Sequence, residues 1–206
     1  MGLVKLNDRG VRSATTFGSL GTGSMTFIKK LTSDGSDDTL SFLDGADDVV
    51  FDDTYKEYLF TFNDMHPETD EVNFTFQVDT GTNTSYNQTI TSTAFQVYHN
   101  EADTYTSLAY GTDKDQAQGS AFQVLMMPIG NGNDESGSGY LHIFNPSSSV
   151  FVKHFIGRSH YYNPGDYAQS LFTAGYFNTT TALTRVQFKM SSDEIQGGTI
   201  SLYGIK

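Results

Sequence analysis

The side chains able to do chemistry in this 206-residue chain are five histidines, a dense run of carboxylates and a tyrosine-rich stretch, while cysteine is absent. His142 and His154 fall in neighbouring apolar segments and would face each other if those segments pair as strands, which is how two imidazoles begin a metal site. No carboxylate or third histidine lies at a spacing that completes the ligand set. The expectation for His66, His99, His142, His154 and His160 is therefore isolated strand or loop positions. The carboxylates are more concentrated: between Asp34 and Glu71 stand thirteen Asp and Glu residues against a single Lys56. Asp34, Asp37 and Asp38, and again Asp44, Asp47 and Asp48, crowd hard oxygen donors around Gly35 and Gly45, as calcium requires. The loop spacing of the helix-loop-helix calcium motif is missing. The pattern predicts a solvated acidic face, with one or two weak calcium sites as the alternative.

Catalytic patterns are sparse. Without cysteine there is no thiolate nucleophile, disulfide framework or cysteine-based metal knot. Ser159 precedes His160, but no Gly-x-Ser-x-Gly elbow exists, and Gly18-Ser19-Leu20-Gly21-Thr22-Gly23 lacks the Gly-Lys-Ser/Thr ending of a phosphate loop. Carboxylate pairs for glycoside hydrolysis occur in any acidic β protein, and no pair here stands above the rest. These residues predict no enzyme and no cofactor. The stretch from Ser159 to Tyr167 reads as a loop that exposes Tyr161, Tyr162 and Tyr167 beside hydrogen-bonding groups, a composition common at protein interfaces and sugar sites. Its alternative is a set of tyrosines covering one end of the fold.

The elements that must position these groups read as strands. Gly, Ser, Thr, Asn and Asp punctuate short apolar runs throughout, and no helix-period apolar face exceeds a turn or two. Tyr58, Phe60 and Phe62 alternate with polar or intervening positions, as do Val72, Phe74, Phe76 and Val78, so each run predicts a strand with one buried face. His66-Pro67 between them predicts a turn. Further strands are expected at 94–98, 122–126, 140–144, 150–156, 171–177, 186–190 and 199–203, the last two forming a terminal hairpin. Segments 111–119 and 130–139 read as exposed loops. The fold class that follows is all-β, an antiparallel β-sandwich.

Charge divides the chain. Residues 1–30 hold Lys5, Arg9, Arg12, Lys29 and Lys30 against Asp8, a net of +4, whereas residues 31–206 hold seven basic against 23 acidic residues, a net of −16. The first 30 residues read as a basic extended arm or an edge strand, and residues 31–206 as the sandwich domain. An arm could dock on a neighbouring subunit through Lys5, Arg9, Arg12, Phe17 and Leu20. The acidic body should repel nucleic acid and anionic lipid. No secretory signal pattern or membrane-length apolar run is present, so synthesis in the host cytoplasm is expected.

Four segments carry a resemblance: Gly10-Val11-Arg12-Ser13-Ala14-Thr15-Thr16-Phe17-Gly18-Ser19-Leu20, Asp53-Thr54-Tyr55-Lys56-Glu57-Tyr58, Asn63-Asp64-Met65-His66-Pro67-Glu68-Thr69-Asp70 and Gly197-Gly198-Thr199-Ile200-Ser201-Leu202-Tyr203-Gly204-Ile205. On these the chain resembles a family of virion structural proteins of short-tailed marine phages. The resemblance implies a jelly-roll-like sandwich and a place on the virion surface. Either of two jobs follows: a capsid decoration (cement) protein binding the major capsid protein or other virion subunits, or a tail-fibre or receptor-binding appendage. It transfers no catalytic residue. A homo-oligomer, with a trimer as one form, is expected in either case.

Overall fold

The structure, a computed structural model, describes residues 24–206. Lys5, Arg9, Arg12, Phe17 and Leu20 lie outside the described residues. Thirteen strands follow one another: β1 (Met25–Thr32), β2 (Leu40–Leu43), β3 (Glu57–Pro67), β4 (Val72–Thr80), β5 (Ile90–Asn100), β6 (Thr106–Tyr110), β7 (Ala117–Gly119), β8 (Gln123–Ile129), β9 (Gly137–Phe144), β10 (Lys153–Asn163), β11 (Tyr167–Phe177), β12 (Leu183–Met190) and β13 (Ile195–Ile205). They form a large antiparallel sheet in the order β1-β13-β3-β9-β10-β11-β5-β6, with β7 paired to β5, and a four-stranded sheet in the order β2-β12-β4-β8. Setting aside β5, β6, β7, β10 and β11 leaves eight strands ordered first-eighth-third-sixth in one sheet and second-seventh-fourth-fifth in the other. That is the double Greek key of a jelly roll. The set-aside strands widen the large sheet beyond the edge of the small one.

The sheets meet over aromatic side chains supplied by the period-2 pattern. Phe188 of β12 lies at the centre, with ring centroids 5.3 to 6.2 Å from Phe42, Phe60, Phe62, Phe74 and Phe76. Tyr58, Phe60 and Phe62 are buried together as their alternation predicts. Strand β4 differs from the simple expectation. Val72, Phe74, Phe76 and Val78 face the core, but Thr75, Gln77 and Asp79 on the other side are buried too. The Gln77 side-chain amide donates to the carbonyls of Gln88 and Ala121, each at 3.0 Å, so the neighbouring connections fold over this face and satisfy its polar groups.

Three expectations change. His66-Pro67 is the end of β3 and not a turn: Pro67 pairs with Ile195 at the last register position, where a missing donor interrupts no further ladder. The segments 186–190 and 199–203 do not form a hairpin. β12 pairs with β2 and β4 whereas β13 pairs with β1 and β3, so Ser191–Glu194 carries the chain between the sheets. Lys29 and Lys30 belong to β1, an edge strand of the large sheet, which is the second of the two readings given for residues 1–30. The segments read as exposed loops are partly strand, since β7 lies within 111–119 and β9 starts at Gly137.

Candidate functional site

The outward face of β9, β10, β11, β5 and β6 carries an aromatic and apolar surface. Cross-strand register sets Tyr140, Arg158, Phe172, Phe95 and Tyr110 in one lateral row spanning β9, β10, β11, β5 and β6. Phe95 stacks on Phe172 at 4.6 Å with the rings 5° from parallel, and the Arg158 guanidinium lies 4.8 Å from the Phe172 centroid. Beside this row stand Ile156, Val97 and Leu108, which are 50%, 41% and 71% exposed. Four of the five histidines, His99, His142, His154 and His160, point the same way, as the register with Ile156, Arg158, Phe172 and Phe95 requires.

None of the outward positions of these five strands holds a carboxylate, although the protein has a net charge of −12. Carboxylates stand at the rim instead. Glu57 meets His142, Asp103 meets His99 at 3.0 Å, and Asp115 accepts the Tyr110 hydroxyl at 2.6 Å. The Asp115 contact raises the Tyr110 phenol above its ordinary range. An apolar and aromatic centre with an embedded arginine and a polar rim is the anatomy of a protein interface. The available sequence signal was charge: from residue 136 to 192 the sole carboxylate is Asp166. Composition alone did not reveal that these residues share a face.

The tyrosine stretch is a hairpin and not a loop, because Ser159–Asn163 belong to β10 and Tyr167 opens β11. Its three tyrosines separate. Tyr161 is 1% exposed, and burial raises its phenol while the Met127 backbone amide partly offsets that; among the described residues no well-formed hydrogen bond reaches its hydroxyl, and it is a core residue that cannot contact a receptor. Tyr162 is half-buried and donates to Asp166 Oδ1 at 3.0 Å, which together with burial pushes its phenol up to about 12. Tyr167 turns to the inner side of the sheet, where Tyr98 meets it edge-on at 5.7 Å. There it lines a cleft of about 460 Å³ with Gln96, Tyr98, Tyr105, Asn163 and Gln169 over Met127 and Pro128.

The calcium candidates are turn residues. Gly35 and Gly45 adopt φ of +92° and +78°, and Asp47 and Asp48 take +51° and +67°, values that aspartate tolerates better than most side chains. Asp34 Oδ1 accepts the Ser36 amide at 3.0 Å and its hydroxyl at 2.7 Å, and these bonds hold the Asp34 carboxyl below the usual carboxylate range. Asp37 Oδ2 accepts the Asp34 amide at 3.0 Å, Asp44 Oδ1 accepts the Phe51 amide at 2.8 Å, and Asp47 pairs with Lys29 at 3.2 Å. Asp38 and Asp48 are exposed. Among the described residues no three His, Asp or Glu side chains gather where one ion could be held. His142 and His154 do lie on paired strands, but His142 binds Glu57 and His154 packs edge-on against Tyr176 at 6.1 Å.

Asp79 was not singled out by its sequence context. It is 0% exposed and accepts four hydrogen bonds that shape the connection from β4 to β5. No helix among the described residues is long and apolar enough to cross a membrane. No family model, curated protein or solved structure matches the chain.

Proposed function

We propose that this protein is a non-enzymatic virion structural subunit that decorates the outer capsid shell, binding neighbouring coat subunits, and that the outward face of β5, β6, β9, β10 and β11 joins it to further copies of itself. The observation that carries the reading is the carboxylate-free, aromatic outward face on an otherwise acidic molecule. Two copies that meet there keep their carboxylates at the rim, where His99, Tyr110 and His142 already hold them, so the repulsion between like-charged bodies is reduced at that contact. The size is adequate. Five strands about 4.8 Å apart, over some eight residues at about 3.3 Å each, span roughly 600 Å² in projection, and side-chain relief brings this near the roughly 800 Å² per partner of a stable interface. Many copies on a shell would add avidity to a modest individual contact with the coat.

The tyrosine and amide cleft favours a second reading, a tail-fibre or receptor-binding appendage. Cryo-electron microscopy of the particles whose genome encodes the chain separates the two: density over the whole shell supports decoration, and density confined to the tail vertex replaces it with the appendage. Sedimentation equilibrium tests the self-contact. Wild-type protein is expected at a multiple of 22.7 kDa and Leu108→Asp at 22.7 kDa. A monomeric wild type would remove the outward face from the proposal.

A further inference from the structure

Strand alternation gives β5 two different chemistries. Phe95 and Val97 face outward, while Gln96 and Tyr98 face the inner side, beyond the edge of the small sheet. There they meet Asn163 and Gln169 from the β10–β11 hairpin, Tyr167 at the start of β11, and Tyr105 from the connection to β6. The resulting cleft of about 460 Å³ falls within the roughly 300 to 1,000 Å³ of small-molecule sites. None of its lining residues is charged.

Its polar groups are held in fixed orientations. The Asn163 side-chain nitrogen donates to Gln169 Oε1 at 2.9 Å, and the Gln169 nitrogen donates to Gln96 Oε1 at 3.1 Å. The Gly165 amide closes the other end by donating to Asn163 Oδ1 at 3.0 Å. This relay fixes the planes of three amides, and it leaves the Gln96 side-chain nitrogen with no hydrogen bond among the described residues. Three phenol rings stand beside it. Tyr98 and Tyr105 lie 5.5 Å apart and 31° from parallel, with their hydroxyls 3.3 Å apart, and Tyr167 meets Tyr98 at 86°. Tyr105 is 50% exposed, so a ring face is available to a ligand.

We propose that this cleft is a binding site for neutral saccharides. A sugar presents an apolar C–H face for an aromatic ring and a rim of hydroxyls that both donate and accept. Phenols and primary amides likewise do both. The lining argues against other ligand classes. An anion would find no cation, a metal ion would find no carboxylate, and a polyproline segment offers acceptors alone, leaving the amide and phenol oxygens without donors. The site does not depend on the self-contact or on the location on the particle, because it lies on the opposite face of β5 from Phe95 and Val97.

The test is saturation-transfer NMR on the full chain with neutral tetrasaccharides built from glucose, galactose, mannose or N-acetylglucosamine, with decaproline as a separate probe. At least one saccharide is expected to receive saturation. Tyr105→Ala and Gln96→Ala are each expected to weaken its binding about tenfold or more, while Phe151→Ala, exposed and outside both the cleft and the outward row, leaves it unchanged. Thermal melting of each variant identifies one that has merely unfolded, and Tyr105→Phe, which keeps the ring, should retain most of the binding. The proposal is overturned if no saccharide is saturated, if decaproline is saturated instead, or if folded Tyr105→Ala and Gln96→Ala bind like the wild type.

Discussion

Replacing Asp79 should be among the most damaging single changes in the molecule. Its Oδ1 accepts the Thr80 amide at 3.0 Å, the Asn83 side-chain nitrogen at 2.7 Å and the Gln88 side-chain nitrogen at 2.9 Å, and its Oδ2 accepts the Tyr86 amide at 2.9 Å. Asp79→Ala leaves all four donors without their acceptor. Asn83 and Gln88 are at least partly exposed and can turn to water, whereas Tyr86 is 9% exposed and sits at a φ of +47°, so its amide has no easy alternative. A hydrogen bond to a charged acceptor contributes about 1.5–3 kcal/mol, and a stranded buried donor costs about 1–3 kcal/mol. Two backbone donors lost outright therefore give about 3–4 kcal/mol of destabilisation. Asp79→Asn keeps one acceptor but sets an amide against the remaining donors, and should cost about 2 kcal/mol. With a urea slope of about 2–3 kcal/mol/M, the Ala variant should unfold at a midpoint lower by more than ~1 M. Hydrogen exchange should show the Tyr86 amide losing protection in both variants. An Ala midpoint within ~0.2 M of wild type, or an unprotected Tyr86 amide in the wild type, would refute the reasoning.

Tyr161→Phe should raise stability by up to about 1 kcal/mol, because it removes a buried hydroxyl with no well-formed hydrogen bond among the described residues and keeps the ring; a lower urea midpoint would show that the Met127 backbone amide beside it is a true donor to that hydroxyl. Phe188→Ala should lose about 3–5 kcal/mol, since the ring touches five phenylalanines drawn from both sheets; a variant that melts within a few degrees of wild type contradicts that central role. Lys153 is 0% exposed and donates to the carbonyls of Thr181 at 2.6 Å and Thr179 at 3.3 Å, and burial lowers its pKa from 10.5. Between that lowered value and 10.5 the unfolded chain holds more protons, so raising the pH through this window should stabilise the wild type relative to Lys153→Met. Denaturation midpoints for the two proteins that run parallel up to pH 10.5 would contradict the sign.

The sequence alone determined the all-β class and much of the core. The alternation of Tyr58, Phe60 and Phe62, and of Val72, Phe74, Phe76 and Val78, marks the buried side of β3 and β4 without reference to any partner strand. Strand period is a local property, so it is legible locally. Pairing is not: nothing within 186–203 shows that its two strands enter different sheets, since their partners lie in β1, β2, β3 and β4, more than a hundred residues earlier in the chain. Burial of a strand's second face likewise depends on what crosses it. This is why Gln77 and Asp79 are enclosed while Phe95 and Leu108 remain exposed, and why Tyr161 is core while Tyr167 lines a cleft. Alternation tells which side chains share a face; only the long-range stacking of sheets and connections decides whether that face meets protein or water.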